Sequence, residues 1–380
     1  MSNIQTYFPD KPVHPGAILL DTLDFLSLPI TEVSERTGIS QKHLSTIING
    51  KALITAEVAL KLEKVTQTPA SFWTNLSSHY QSSLARIEED VRITEEVESV
   101  VDFKETYKEL AKRNIVDNYT WLEKNFEQIT RELLCFFSVS SLKYIGDTRL
   151  VAFRRYDQSI NRNTIAAIIR LGERKAQSVE TGAFDNKALK SALPEIKSYS
   201  LEEPIDYLPK LEEKLRTLGI VLVCVPGFAH TGLQGAVKWL SPHKAMIILR
   251  TETQKGTEVT EDKFWFNLFH ELGHLLLHGK GDGFLDLDNK LDSQEEREAD
   301  KFASQQFMPK FDALVDLESY KRNGLIRAEL AIPSLATRYG ISQSIVAGMM
   351  SFAYQDKQGN VYSILNDYKR KLKYTNYEVT

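Results

Sequence analysis

The chain has 380 residues, 42% of them hydrophobic and 26% charged, with a formal net charge of −4. That length suits two or three domains with sizeable cores, and the slightly acidic balance excludes non-specific wrapping of nucleic acid, so any DNA contact has to be local. The chain opens without an apolar h-region and no run reaches about 18 apolar residues, so the sequence predicts neither a secretory signal nor a membrane span and points to the cytoplasm.

Residues 14–80 begin with His14-Pro15-Gly16 and continue as short helical patterns punctuated by Pro29, Gly38 and Gly50. A helix capped by Thr31, a turn at Gly38, and a second helix capped by Ser40 and stopped by Gly50 give the order of a helix-turn-helix. Leu44 and Ile47/Ile48 are expected to face inward. Gln41, Lys42, Ser45, Thr46 and Asn49 are then expected outward, near the helix start, where such motifs meet base edges. Gln and Asn suit adenine, and Lys42 suits guanine or phosphate. With its terminal Phe72-Trp73 and Leu76, the stretch resembles the HigA-type helix-turn-helix within the Xre-like repressors. The resemblance implies an operator in double-stranded DNA. Residues 1–80 hold six Lys/Arg against seven Asp/Glu, although Lys42, Lys51, Lys61 and Lys64 cluster around the recognition helix, so useful affinity is expected to need a homodimer.

Residues 81–145 are helical in pattern and charged, and read as a connector or as a dimerisation arm; no a/d heptad is sustained there. The cysteines, Cys135 and Cys224, lie on apolar segments without metal spacing, so both are expected as buried thiols with no disulfide. From 150 to 250 helices mix with strands: helices near 163–175 and 211–218, a buried strand over 219–225 ended by Pro226-Gly227, and a hairpin of 235–240 with 245–250 around Ser241-Pro242-His243-Lys244.

Next comes Phe269-His270-Glu271-Leu272-Gly273-His274-Leu275-Leu276-Leu277-His278. Two histidines four apart fall about 40° apart on one helix face and reach a single cation, which is the HExxH zinc pattern. Glu271, next to the first ligand, is placed to take a proton from metal-bound water. Gly279 supplies the stop. A third ligand is needed, and in the run 292–303 the residues 296, 300, 303 and 307 share a face. Glu296 is the expected donor and Glu298 the alternative; Asp300, one turn on, is placed to accept the outer ring N–H of a ligating histidine. A capping box of Ser293 with Glu296 competes for that carboxylate, whereas Asp292 with Glu295 leaves it free. His278 lies about 80° from His270 and reads as a helix-end residue that satisfies carbonyls or packs. His230, His243 and Tyr339 stay open as groups that stabilise a tetrahedral oxyanion.

HELGHLLLH followed by EREADKFASQQFMP resembles the ImmA/IrrE family of intracellular zinc metallopeptidases over roughly residues 145–355. The resemblance implies a gluzincin-like fold, a Zn2+ cofactor, endopeptidase activity on a protein substrate, and an edge strand, 235–240 or 245–250, that receives the substrate backbone; the same strands also read as a purely structural sheet. Beyond Pro309, the run Tyr339-Gly340-Ile341-Ser342-Gln343 repeats the Gly-Ile-Ser-Gln of residues 38–41. A second helix-turn-helix-like unit is expected there, packed on the peptidase because Ile345, Val346, Met349 and Met350 are apolar.

The expected fold is α+β and mostly helical: a helix-turn-helix domain over 1–80, a helical connector over 81–145, a peptidase domain with a small mixed sheet over 146–330, and a helical subdomain over 331–380. The expected function is a DNA-binding regulator or antitoxin-like protein carrying a zinc endopeptidase. The alternative is a non-enzymatic antitoxin or repressor whose peptidase fold grips a toxin or senses a ligand.

Overall fold

The computed structural model describes residues 12–147, 161–229, 231–253, 257–279, 284–287, 294–308, 321–322, 325–353 and 365–372. Two compact units divide the chain, residues 1–98 and 99–380.

The first unit is built from α1 (Pro15–Phe25), α2 (Ile30–Thr37), α3 (Gln41–Ile48), α4 (Ala56–Thr66) and α5 (Ala70–Glu96). Leu19, Leu23, Val33, Leu44, Ile47, Leu62 and Trp73 close one core. His14 caps α1, its Nδ1 accepting from the Gly16 N–H at 2.9 Å, and a Cβ at Gly16 would lie 1.9 Å from the Ile47 carbonyl oxygen. Only glycine lets α1 and α3 approach this closely. Ser40 caps α3 as expected, but α2 starts at Ile30 behind Pro29 and Thr31 caps nothing. Gly38 takes φ +70 at the turn between them. Helix α5 runs for 27 residues, straight through position 80.

A 3-10 turn at Val97–Phe103 spans the division, and the second unit goes on with α6 (Lys104–Lys112), α7 (Phe126–Phe137), the short α8 (Tyr144–Asp147), α9 (Arg162–Ser178), α10 (Asn186–Ser198) and α11 (Pro204–Thr217). On α7 the apolar neighbours Leu133, Leu134, Phe136 and Phe137 are buried while Cys135 is exposed, against expectation: it falls on the outer side of an amphipathic helix. Cys224 is buried, burial pushes its thiol up to about 12, and both cysteines are free.

Strands β1 (Ile220–Val225), β2 (Leu233–Ser241), β3 (Lys244–Arg250) and β4 (Phe284–Leu287) form a mixed sheet in the order β1-β3-β2-β4. β1 runs parallel to β3, and the β2–β3 hairpin is antiparallel, as expected. Neither hairpin strand is an edge. β3 lies between β1 and β2, and β4 pairs with β2 over Leu233–Val237. The expectation that 235–240 or 245–250 offers a free edge therefore fails, because the chain after the next helix folds back to cover it.

That next helix, α12 (Glu261–Leu277), packs under the sheet, with α13 (Gln294–Phe307) beside it. α14 (Ala328–Tyr339) and α15 (Gln343–Ala353) meet at Gly340, φ +63, as a second helix-turn-helix-like pair. Leu335, Ile341, Ile345, Val346 and Met350 share the core of Phe264, Trp265, Leu268 and Phe269 of α12, so this pair does pack on the metal-motif helix.

Candidate metal centre and helix-turn-helix

Fourteen of the seventeen residues of α12 are buried, so the HExxH face is held in the core. Tyr207, Phe264, Trp265, Phe269 and Phe307 stack around it, with ring centroids 4.8–6.5 Å apart. Between the two motif histidines, a Cβ at Gly273 would meet Phe302 at 3.1 Å and the Ala299 Cα at 3.4 Å. The missing side chain brings α13 close enough for its carboxylates to reach the histidine rings.

The donors converge. His270 Nε2 and His274 Nε2 are 2.9 Å apart; Glu296 Oε2 lies 3.3 Å from the first and Oε1 3.4 Å from the second. Among the described residues, His270, His274 and Glu296 are the group of His, Cys, Asp and Glu able to hold a metal ion. Zinc bonds of about 2.0–2.1 Å set donors about 2.9–3.4 Å apart as the angle between them runs from about 90° to tetrahedral, so the residues fit such an ion. Burial opposes ionisation of Glu296, but the two imidazole rings beside it outweigh that and hold the carboxyl well below the usual range. Burial lowers the pKa of His274, which keeps it neutral and suited to ligation.

The outer ring nitrogens also have partners. His270 Nδ1 lies 2.9 Å from Asp300 Oδ1, so its N–H donates to a carboxylate. His274 Nδ1 lies 2.9 Å from His278 Nδ1, and His278 Nε2 lies 3.1 Å from Glu298 Oε2. Of the two roles the sequence left open for His278, satisfying carbonyls or packing, its side chain takes contact with a ring. Glu298 stands behind His278 and not among the converging donors. Gly279 ends the helix at φ +73, as expected.

Glu271 is fully buried. It faces β2, where a Cβ at Gly235 would sit 2.3 Å from its Oε1. Sequence reasoning missed this contact; the clue was a glycine inside a strand pattern, which marks close approach of another group. Of the oxyanion candidates, His230 lies outside the described residues, as do Asp292 and Ser293 of the competing helix caps. His243 is exposed on the β2–β3 turn, about 20 Å along the strand from Gly235 at about 3.3 Å per residue, too far to serve. Tyr339 ends α14 and is partly buried against the core.

In the first unit Gln41, Lys42 and Asn49 are exposed, and Ser45 and Thr46 half-buried, on the α3 face opposite Leu44 and Ile47. Thr46 Oγ1 donates to the Lys42 carbonyl and Asn49 Nδ2 to the Ser45 carbonyl, so these side chains also brace the helix. Lys61 is paired with Glu57 at 2.9 Å.

The fold and site together define a helix-turn-helix regulator joined to a domain with a zinc-peptidase motif. The match to known families follows the same division. Residues 26–73 match the helix-turn-helix family and residues 257–351 the IrrE N-terminal-like domain of the M78 peptidases. The chain is 35% identical over 107 residues to an uncharacterized HTH-type transcriptional regulator, YbaQ, of Escherichia coli (strain K12), covering 27% of this chain and 93% of that one. It is 42% identical over 75 residues to virulence-associated protein A of Dichelobacter nodosus, over 19% of this chain and 74% of the relative. Among solved structures, an addiction module antidote protein of the HigA family from Coxiella burnetii is 33% identical, over 23% of this chain and 95% of that one, with a TM-score of 0.21. The Pseudomonas aeruginosa antitoxin HigA with its higBA promoter is 29% identical, over 23% and 95%, with a TM-score of 0.22. The chain belongs, through its N-terminal region, to the HTH-type transcriptional regulators, and its C-terminal region carries the IrrE N-terminal-like domain. No described helix is long and apolar enough to cross a membrane.

Proposed function

We propose that this regulator carries a working zinc metallo-endopeptidase that cleaves a regulatory protein, with His270, His274 and Glu296 as metal ligands. The observation that carries the reading is the convergence of two buried imidazoles and a carboxylate beside a buried glutamate. When bound, zinc would acidify a water to a pKa of about 7 and polarise the scissile carbonyl. Glu271, at the next position on α12, takes the proton and returns it to the leaving amine. Asp300 accepts the His270 N–H and keeps its Nε2 lone pair inward. The flanking core excludes bulk water from Glu271.

On this reading residues 1–80 hold the operator as a homodimer through Gln41, Lys42, Ser45, Thr46 and Asn49, residues 81–145 connect, 146–330 cleave, and 331–380 brace α12. Incubating the purified protein with the products of neighbouring genes and sequencing any new termini tests it. The parent cleaves one of them and Glu271→Gln does not; equal cleavage by both, or none by the parent, sinks the enzymatic reading. A second reading is a non-enzymatic antitoxin or repressor, supported by the match of residues 26–73 to the helix-turn-helix family and by a relative named as an HTH-type transcriptional regulator. In that case toxin neutralisation survives Glu271→Gln.

A further inference from the structure

We infer that His278 and Glu298 are a positioning pair for the metal centre, doing for His274 what Asp300 does for His270. The inference rests on the metal-ligand reading above. A histidine ligand offers one ring nitrogen to the ion, and the hydrogen bond at its other nitrogen sets its tautomer and orientation. His270 has a carboxylate for this purpose at 2.9 Å. At His274 the ring of His278, one turn further along, stands at Nδ1, also at 2.9 Å.

The proton arrangement along this chain is self-consistent. Glu298 accepts, so His278 carries its proton on Nε2 and presents the Nδ1 lone pair. His274 then carries its proton on Nδ1, donates it to His278, and turns a bare Nε2 toward His270 and Glu296. Gln294 Nε2 donates to Glu298 Oε1 at 2.8 Å and steadies the far end. The opposite arrangement would put a proton on His274 Nε2, in the face that a bound ion would need. Two neutral imidazoles thus relay the orienting effect of a carboxylate that is itself too far away to touch the ligand.

A purely structural role accounts for this poorly. The helix already ends through backbone: the His278 N–H bonds the His274 carbonyl at 3.1 Å and Gly279 turns the chain at φ +73. The Glu298 side chain is 45% exposed, and exposed ion pairs contribute little to stability. What the pair does supply is direction, because a hydrogen bond at Nδ1 of His274 chooses which ring nitrogen carries the proton.

Two isosteres separate the possibilities. In His278→Asn the amide oxygen falls where Nδ1 was and can accept from His274; in His278→Gln the polar end falls where Nε2 was and cannot. Zinc affinity, read by competition with a chromogenic chelator on the full-length protein, is expected to fall about 10–100-fold in His278→Ala and His278→Gln. His278→Asn recovers most of that loss, and Glu298→Ala shows a smaller one. Nitrogen NMR of the metal-free protein should find His274 as the Nδ1–H tautomer in the parent and as a mixture in His278→Ala. A parent that takes up no zinc removes the metal reading and this inference together. A parent that binds zinc, with Ala, Asn and Gln variants equal to it within twofold, contradicts the pair alone; so does a loss that Asn and Gln share equally, since that would report packing.

Discussion

Glu271 and Gly235 constrain each other across the gap between α12 and β2. A methyl group at Gly235 would overlap the carboxylate, so Gly235→Ala has to displace Glu271 or the strand. An error of about 1 Å in a reacting group can cost about 10²-fold, so this variant should lose cleavage by at least that factor and still bind zinc. Unchanged cleavage would show that Glu271 does not act from this position. Glu271→Gln, which keeps shape and removes the base, should cost roughly 10²–10⁴-fold in cleavage while DNA binding by the first unit persists. A band shift on the operator beside a peptide assay reads both.

Helix α3 is the element on which the proposed DNA recognition rests. Ser40 accepts the His43 N–H at its start, and Ser40→Ala should destabilise the first unit by about 1 kcal/mol, measured by thermal melting of that unit. Gln41, at the first helical position and exposed, should discriminate one base; Gln41→Ala is expected to relax preference there by about 1–3 kcal/mol, and a uniform loss across all sequences would contradict a base contact. Much of this element was legible in advance, because Ser40, Gly38 and the spacing of Leu44 and Ile47 are local signals. The start of α2 was misread, since Pro29 can begin a helix as well as Thr31 can. The converging donors His270, His274 and Glu296 on α12 and α13 were legible for the same reason, a fixed spacing on a helix. β4 was not: four residues added to β2 from beyond α12 leave no periodicity to read, and the free edge expected of the hairpin disappears with them. The roles of Gly235 and His278 depend on what faces them in three dimensions, which spacing alone does not give.

At the scale of the molecule, the C-terminal segment is tied to the start of the metal-motif helix. Arg370 bonds the Glu261 and Glu203 carboxylates and the Ser200 and Glu202 carbonyls, and Leu372 N–H bonds the Val259 carbonyl. Glu261 is buried at the first turn of α12; burial pushes its carboxyl up to about 7, Glu203 adds to this, and Arg370 and Tyr207 only partly oppose it. Between 4.5 and about 7 the folded protein therefore holds more protons at this site than the unfolded chain, and stability contributed here is full below 4.5 and lost as pH rises through 7. Denaturant midpoints measured across that range should fall with pH in the parent and fall less in Glu261→Gln; parallel curves would contradict the assignment. The central claim is that the second unit is built around a zinc centre, and metal content per chain of the purified protein tests it most directly. The account predicts about one zinc in the parent and in Glu271→Gln, and none in His270→Ala, His274→Ala or Glu296→Ala. A parent without zinc, or zinc kept by Glu296→Ala and lost by Glu298→Ala, would contradict it.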